Sequence, residues 1–155
     1  MTKCDSLRKR IEELERKIEY LSKDTCYGIW TRAAFLQFCE VMPRGVRAVI
    51  FLDFNRIHDL NAEVGYEEVN RRIKTTLSDF RQSDLVARWY SGDEIVILID
   101  GSLDVATTLV EELKNVASSN NLDFDYMLGI WDVGKTDIQE IVDELSHNLI
   151  RKSSR

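Results

Sequence analysis

Apolar residues near the start of the chain recur at alternating intervals of four and three positions. They are Leu7, Ile11, Leu14, Ile18 and Leu21. This spacing predicts a helix over residues 5–23, and isoleucine at a with leucine at d favours a parallel, two-stranded coiled coil. Arg10 at g and Glu15 at the following e carry opposite charges, which also favours a homodimer. The alternative is a single amphipathic helix packed on its own domain, because three heptads are marginal for an isolated coil.

Beyond residue 24 the chain alternates between helical and extended patterns. Thr31 caps a predicted helix that ends before Pro43, and the apolar run Val46–Phe54 predicts a buried strand. The remaining predictions are a short helix to about residue 62, a helix over 67–81, a hairpin of 85–90 and 94–100, a helix over 105–118, a strand over 124–131 and a helix over 138–150.

This order of elements suits an α+β domain of the ferredoxin-like or polymerase-palm type. Its central sheet is mostly antiparallel, with helices on one face. We therefore divide the chain into a coiled-coil helix at residues 1–23 and a single domain at residues 24–155.

Composition narrows the classes of function. A chain of 155 residues is long enough for one domain with a substantial core. The net charge of −6 argues against a general DNA, RNA or membrane-surface binder, but it is compatible with a small nucleotide neutralised by metal. Cys4, Cys26 and Cys39 show no metal-ligand spacing, which indicates reduced thiols. Without a signal peptide or an apolar run of about 20 residues, we expect a soluble, cytoplasmic protein.

Three acidic residues stand at the ends of predicted strands. Asp53 ends the first strand, and Asp93 and Glu94 adjoin the hairpin turn. Adjacent carboxylates repel one another unless a bound cation compensates them or the turn is open to water. Asp53 alone also suits a helix cap. In a palm-type sheet the first strand lies beside the hairpin, so the three acids converge on Mg²⁺ or Mn²⁺. Two such ions activate an attacking hydroxyl and stabilise the departing pyrophosphate.

Four segments, in chain order over about residues 24–150, resemble GGDEF domains, the diguanylate cyclases. Residues 24–32 (DTCYGIWTR) resemble the family's Asp-x-Leu-Thr-Gly-Leu-x-Asn-Arg, and residues 52–65 resemble its Asp-x-Asp-x-Phe-Lys-x-Ile-Asn-Asp-x-x-Gly-His segment. Residues 91–95 (SGDEI) stand where GGDEF would, and residues 128–130 resemble the Ser-Ile-Gly of the last strand. The resemblance implies a homodimer in which two nucleoside triphosphates, one on each subunit, are joined into a cyclic dinucleotide.

The resemblance also assigns roles within this site. It makes Asp53, Asp93 and Glu94 the catalytic residues. It implies two Mg²⁺ or Mn²⁺ ions held by Asp53, Asp93 and the carbonyl of Phe54. Positions that match phosphate-binding residues, or stand near them, are His58, Ser91, Gly92, Arg151 and Lys152.

Asn61 and Asn70 occupy the family's base-contacting positions. Asn70 replaces an aspartate that accepts hydrogen bonds from guanine, and a neutral amide both donates and accepts. The sequence therefore leaves open whether the nucleotide substrate is GTP or ATP.

Arg81 and Asp84 match the family's Arg-x-x-Asp product-inhibition site. The alternative is an arginine that ends a helix, followed by a capping aspartate. One residue more than usual separates Arg88 from the signature.

Two other functions stay open. One is a non-catalytic GGDEF-like module that binds nucleotide or dimerises, and the other is a distant relative of the CRISPR-type cyclic-oligonucleotide polymerases. Retention of the three acids favours catalysis.

Overall fold

The computed structural model describes residues 2–80, 84–90 and 93–153, without the side chains of 19–21 and 153. The described residues form the following elements, in order: α1 (Lys3–Ser22), α2 (Arg32–Glu40), β1 (Gly45–Phe54), α3 (Ile57–Val64), α4 (Tyr66–Thr76), β2 (Leu85–Arg88), β3 (Glu94–Ile99), α5 (Leu103–Ser119), β4 (Phe124–Val133) and α6 (Ile138–Ser153).

The four strands form one sheet in the order β2-β3-β1-β4, and every neighbouring pair is antiparallel. This arrangement confirms the predicted α+β, ferredoxin-like plan. Since β1 lies between β3 and β4, its last residues meet the first residues of both neighbours. The end of β1 is therefore the place where side chains from three strands can act together.

Both faces of the sheet are covered by helices, so the predicted placement on one face is wrong. Side chains at even positions of β1, such as Ile50, pack with α3, α4 and α5 on what we name the first face. Those at odd positions, such as Phe51, pack with α2 and α6 on the second face. A strand buried on both faces has a continuous apolar sequence, as Val46–Phe54 does, and that sequence does not tell one covered face from two.

Helix α4 ends earlier than its predicted limit at residue 81. Its last residue is Thr76, whose hydroxyl donates to the carbonyl of Arg72 at 2.8 Å. The hydroxyl of Ser78 then donates to the carbonyl of Thr75 at 2.7 Å. Such local side-chain bonds compete with the backbone pattern and favour the end of a helix.

Helix α1 stands apart from the folded body. Residues 2–18 are all exposed, so the alternative of an amphipathic helix packed on its own domain does not hold for the part of the helix whose side chains are described. Leu7, Ile11, Leu14 and Ile18 are between 42% and 63% exposed. The other seam residue, Leu21, lies outside the described side chains. None of the described helices is long and apolar enough to cross a membrane.

Candidate active site

Three carboxylates lie side by side where β1 ends. Asp53 pairs with Glu94 of β3 on one side and with Asp125 of β4 on the other. Directly opposed residues of antiparallel strands share a face of the sheet, with Cβ atoms about 4.5–5.5 Å apart. Odd-numbered positions of β1 belong to the second face, so the three acids project at the edge of that face.

The carboxylates of Asp53, Glu94 and Asp125 lie together without an ion pair to any cation in the described part of the chain. Burial, and after it the neighbouring carboxylates of Asp93 and Asp125, raise the pKa of Asp53. The pKa of Glu94 is raised by burial and then by Asp53 and Asp93. Glu94 Oε2 is buried and accepts no hydrogen bond from any residue that the structure describes.

Asp93, which directly precedes β3, lies at the same end of the sheet and is held there by two hydrogen bonds. Its Oδ1 accepts a hydrogen bond from the hydroxyl of Tyr27 at 3.1 Å, and its carbonyl accepts one from the backbone N–H of Phe54 at 3.2 Å. Burial raises the pKa of Asp93, while the Tyr27 hydrogen bond and the positive charge of Arg88 oppose that rise. Asp93 is thus close enough to affect Asp53 and Glu94, but its carboxylate is directed to Tyr27.

The turn at residues 24–32 supports Tyr27 and Asp93. Asp24 Oδ1 accepts the backbone N–H groups of Cys26 and Tyr27, at 2.9 and 3.0 Å. Its other oxygen pairs with Arg88 Nη1 at 2.9 Å, and the Arg88 guanidinium lies 4.5 Å from the centroid of the Tyr27 ring. Residues 24–32, which resemble the opening motif of GGDEF domains, therefore connect β2 to the acidic end of the sheet through side-chain contacts.

We expect Asp24→Ala to destabilise the protein by about 2–4 kcal/mol, because it removes a partly buried ion pair and two backbone hydrogen bonds together. Urea unfolding at neutral pH measures the change. Asp59→Ala is the matched control, since the Asp59–Arg56 pair is long, at 3.8 Å, and largely exposed. The control should lose less than about 1 kcal/mol. Equal losses in the two variants would contradict the bracing role of Asp24.

The donor set of the acidic end fits a hard divalent cation. Among the described residues no group of three or more His, Cys, Asp or Glu side chains is arranged to hold a metal by itself. Mg²⁺ usually binds one or two carboxylates and takes its other ligands from water and substrate phosphates. Asp53 and Glu94 provide such a pair. The buried Oε2 of Glu94, which has no partner among the described residues, is an oxygen that a cation would satisfy.

Several other predicted site residues have clear positions. Asn61 on α3 has a buried Oδ1 without a hydrogen-bond partner in the described structure. Asn70 is half-buried on α4, the helix that packs against α3. His58 is exposed in the first turn of α3.

The phosphate-binding positions are only partly described. Lys152 Nζ lies 5.7 Å from the centroid of the Tyr126 ring, which brings this cation to the strand that carries Asp125. Arg151 is exposed beside it, in the last turn of α6. Ser91 and Gly92 lie outside the described residues.

The product-inhibition motif is also described only in part. Asp84 is 6% exposed, and its Oδ1 accepts the backbone N–H of Asp100 at 3.1 Å, so this carboxylate takes part in the fold. Arg81 lies outside the described residues.

Sequence reasoning missed Asp125 and Tyr27. Asp125 is the second residue of a strand that neighbours β1, so the signal for it was the strand order together with the end at which β4 begins. Tyr27 gave no signal of its own, because its link to Asp93 joins residues 66 positions apart.

Neither a family model nor a curated protein sequence matches this chain. Solved structures do match it. The coiled coil and GGDEF domain of DgcB from Caulobacter crescentus, in complex with c-di-GMP, aligns with a TM-score of 0.82 at 15% identity, over 97% of this chain and 90% of that one. The chain has the GGDEF fold.

Other GGDEF structures align less completely. Diguanylate cyclase SiaD from Pseudomonas aeruginosa, in complex with its activator SiaC, gives a TM-score of 0.71 at 18% identity, over 96% of this chain and 66% of that one. The GGDEF domain of FimX from Pseudomonas aeruginosa gives 0.66 at 14% identity, over 84% and 94%. These likenesses confirm the expected GGDEF fold, with an N-terminal helix ahead of the domain.

Proposed function

We propose that this chain is a diguanylate-cyclase-like nucleotidyltransferase, which condenses two nucleoside triphosphates into a cyclic dinucleotide. The observation that carries the proposal is the pairing of Asp53 with Glu94 across β1 and β3, with Glu94 Oε2 buried and without a hydrogen-bond partner among the described residues. Two facing carboxylates without a protein cation destabilise a fold unless a ligand neutralises them. A divalent cation carrying a triphosphate is such a ligand.

In this proposal Asp53 and Glu94 hold the divalent cation. Asp93 and the carbonyl of Phe54 complete the two-metal set that the resemblance to GGDEF domains implies. When bound, Mg²⁺ or Mn²⁺ neutralises charge on the triphosphate and makes the attacking hydroxyl more acidic. Lys152 and Arg151, at the end of α6, supply positive charge for the phosphates, with His58 at the start of α3.

In the proposed site, helices α3 and α4 provide the place for the nucleotide base. Asn61 presents a buried acceptor oxygen without a partner, and Asn70 is half-buried on the adjoining helix. A purine edge between α3 and α4 would give Asn61 Oδ1 the donor that the described residues do not supply, and would give Asn70 a polar contact. Since each subunit holds one nucleotide, condensation requires two subunits, which agrees with the homodimer that the α1 seam favours.

Incubation with single nucleotides and with pairs tests the proposal. The purified chain is mixed with each nucleoside triphosphate and each pair, with Mg²⁺ or Mn²⁺, and products are identified by mass spectrometry. We expect a cyclic dinucleotide and pyrophosphate from GTP, from ATP or from both. Glu94→Gln, which keeps the size of the side chain and removes its charge, is the matched negative control. Absence of product from every mixture would contradict catalysis.

A second candidate function is a non-catalytic module that binds nucleotide. One observation favours it: the described acids do not form a group of three ligands that could hold a metal without a substrate. This candidate predicts saturable binding of a nucleotide or cyclic dinucleotide by calorimetry, without turnover in any mixture.

Asn70→Asp is expected to shift nucleotide preference toward GTP by about 10- to 100-fold in the ratio of kcat/KM for GTP to that for ATP. A charged acceptor pairs with the donor edge of guanine, whereas an amide can match the donor and acceptor of adenine. Asn115→Asp, an exposed change on α5, is the control. If the unmodified chain uses GTP alone and Asn70→Asp leaves the ratio unchanged, residue 70 does not contact the base.

A further inference from the structure

The hydroxyl of Tyr27 is the side-chain donor that the structure gives to Asp93, at 3.1 Å from Oδ1. In the motif that residues 24–32 resemble, this position is threonine, whose hydroxyl sits close to the backbone. Tyrosine carries its hydroxyl at the far end of an aromatic ring, which lets a residue of the turn at residues 24–32 reach Asp93. The contact is therefore a property of this chain rather than of the motif.

We propose that Tyr27 is a positioning residue for Asp93 and Glu94: by holding Asp93 it fixes the backbone that presents Glu94 to Asp53. The inference rests on the proposed function, because it assigns Tyr27 a part in preparing that site. The Tyr27 hydroxyl donates to Asp93 and makes no hydrogen bond to the described side chains of Asp53 or Glu94, so its effect passes through Asp93.

Tyr27 is held on three sides, as a positioning residue must be. Its side chain is 4% exposed and belongs to the core of the first face. Its backbone N–H donates to Asp24, and the guanidinium of Arg88 lies over its ring. Because Arg88 also pairs with Asp24, the ring cannot tilt without disturbing an ion pair. The hydroxyl therefore has a defined position.

Two backbone hydrogen bonds also hold Asp93 and Glu94 beside this contact. Phe54 N–H donates to the carbonyl of Asp93 at 3.2 Å, and Trp89 N–H donates to the carbonyl of Glu94 at 2.9 Å. The first of these bonds belongs to the residue that Tyr27 holds by its side chain. Loss of the hydroxyl should therefore loosen the Phe54–Asp93 bond before it affects the strands.

Tyr27→Phe is the direct test, because it keeps the ring and its contact with Arg88 while removing the hydroxyl. We expect hydrogen exchange at the Phe54 amide to become about 5-fold faster or more, with amides in the middle of β3 unchanged. We also expect kcat to fall by about 10- to 100-fold with little change in KM, because a misplaced catalytic group affects the reaction more than binding. Tyr66→Phe, which removes a hydroxyl from a residue that is 70% exposed, is the matched control.

The two readouts separate the two proposals. Faster exchange in Tyr27→Phe supports the positioning role even if the unmodified chain makes no product, in which case only the proposed function fails. Exchange and kcat that both match the Tyr66→Phe control would overturn the positioning role. If Tyr27→Phe does not fold, Asp93→Asn and Asp93→Ala replace it. Asp93→Asn keeps an oxygen that accepts from Tyr27, so the Phe54 amide should exchange slowly in that variant. In Asp93→Ala the same amide should exchange fast. Equal exchange rates in the two variants would overturn the inference.

Discussion

Asp53→Asn is expected to lower the rate of cyclic dinucleotide formation by about a thousandfold, whichever nucleotide is used. Metal ions contribute several kcal/mol of charge stabilisation in the transition state, and each 1.4 kcal/mol corresponds to a factor of ten in rate. Asparagine has the size of aspartate but only one neutral acceptor oxygen, so it weakens the hold on the cation with little change in packing. Initial rates at saturating Mn²⁺ measure the effect.

The same substitution should make the metal-free protein more stable. The pKa of Asp53 is raised by burial and by Asp93 and Asp125, which means that its ionised form is unfavourable in the folded state. Replacing it with a neutral residue removes that penalty at neutral pH, where the unfolded chain is ionised at this position. We therefore expect a higher Tm for Asp53→Asn than for the unmodified protein in the presence of a chelator.

Divalent cations should reverse this order. Mn²⁺ should raise the Tm of the unmodified protein, since a ligand that binds only the folded state stabilises it, and should leave Asp53→Asn almost unchanged. Asp79→Asn, an exposed change in the turn after α4, is the control and should behave as the unmodified protein does. A Tm that does not respond to millimolar Mn²⁺ in the unmodified protein, together with full activity of Asp53→Asn, would exclude a metal role for Asp53.

The acidic end of the sheet shows which parts of a site can be predicted from sequence. The sequence predicts that Asp53 and Glu94 lie together, because one ends a strand and the other begins its neighbour, and antiparallel neighbours meet at such ends. Asp125 meets the same condition, but its role depends on the register of β1 with β4, which no local pattern states. The position of the third carboxylate, Asp125, is therefore set by the pairing of the strands and not by local sequence.

The fold could be predicted from the sequence more completely than the packing of the helices on the sheet. Alternation of helical and extended segments gave the α+β plan, because it reflects local periodicity. The number of sheet faces covered by helices could not be predicted, because the apolar sequence of β1 is the same whether one face or both faces are covered. The contact of Tyr27 with Asp93 was likewise beyond prediction, because it depends on how the opening turn is braced by Arg88 and Asp24.

The exposed seam of α1 leads to the second large effect. Ile11 and Ile18 are 54% and 63% exposed in the single chain, on a helix whose residues 3–18 are all exposed. Burying such side chains against a second copy of α1 is favourable by about 25 cal/mol per Å² of apolar area. We expect the unmodified protein to sediment as a dimer at micromolar concentration and Ile11→Lys/Ile18→Lys to sediment as a monomer, with dimer affinity lowered at least about 100-fold.

The folded body should survive this change, because both isoleucines are exposed and neither belongs to the core. Thermal unfolding of residues 24–155 should therefore be nearly the same in the variant. Glu12→Lys alters net charge by the same two units at an outward position of the helix, so it is the matched control and should remain dimeric. If condensation requires two subunits, the monomeric variant should also lose activity in proportion to its dimer fraction and recover it at high protein concentration. An unmodified protein that sediments as a monomer would contradict the coiled coil, and full activity of a monomeric variant would contradict condensation between subunits.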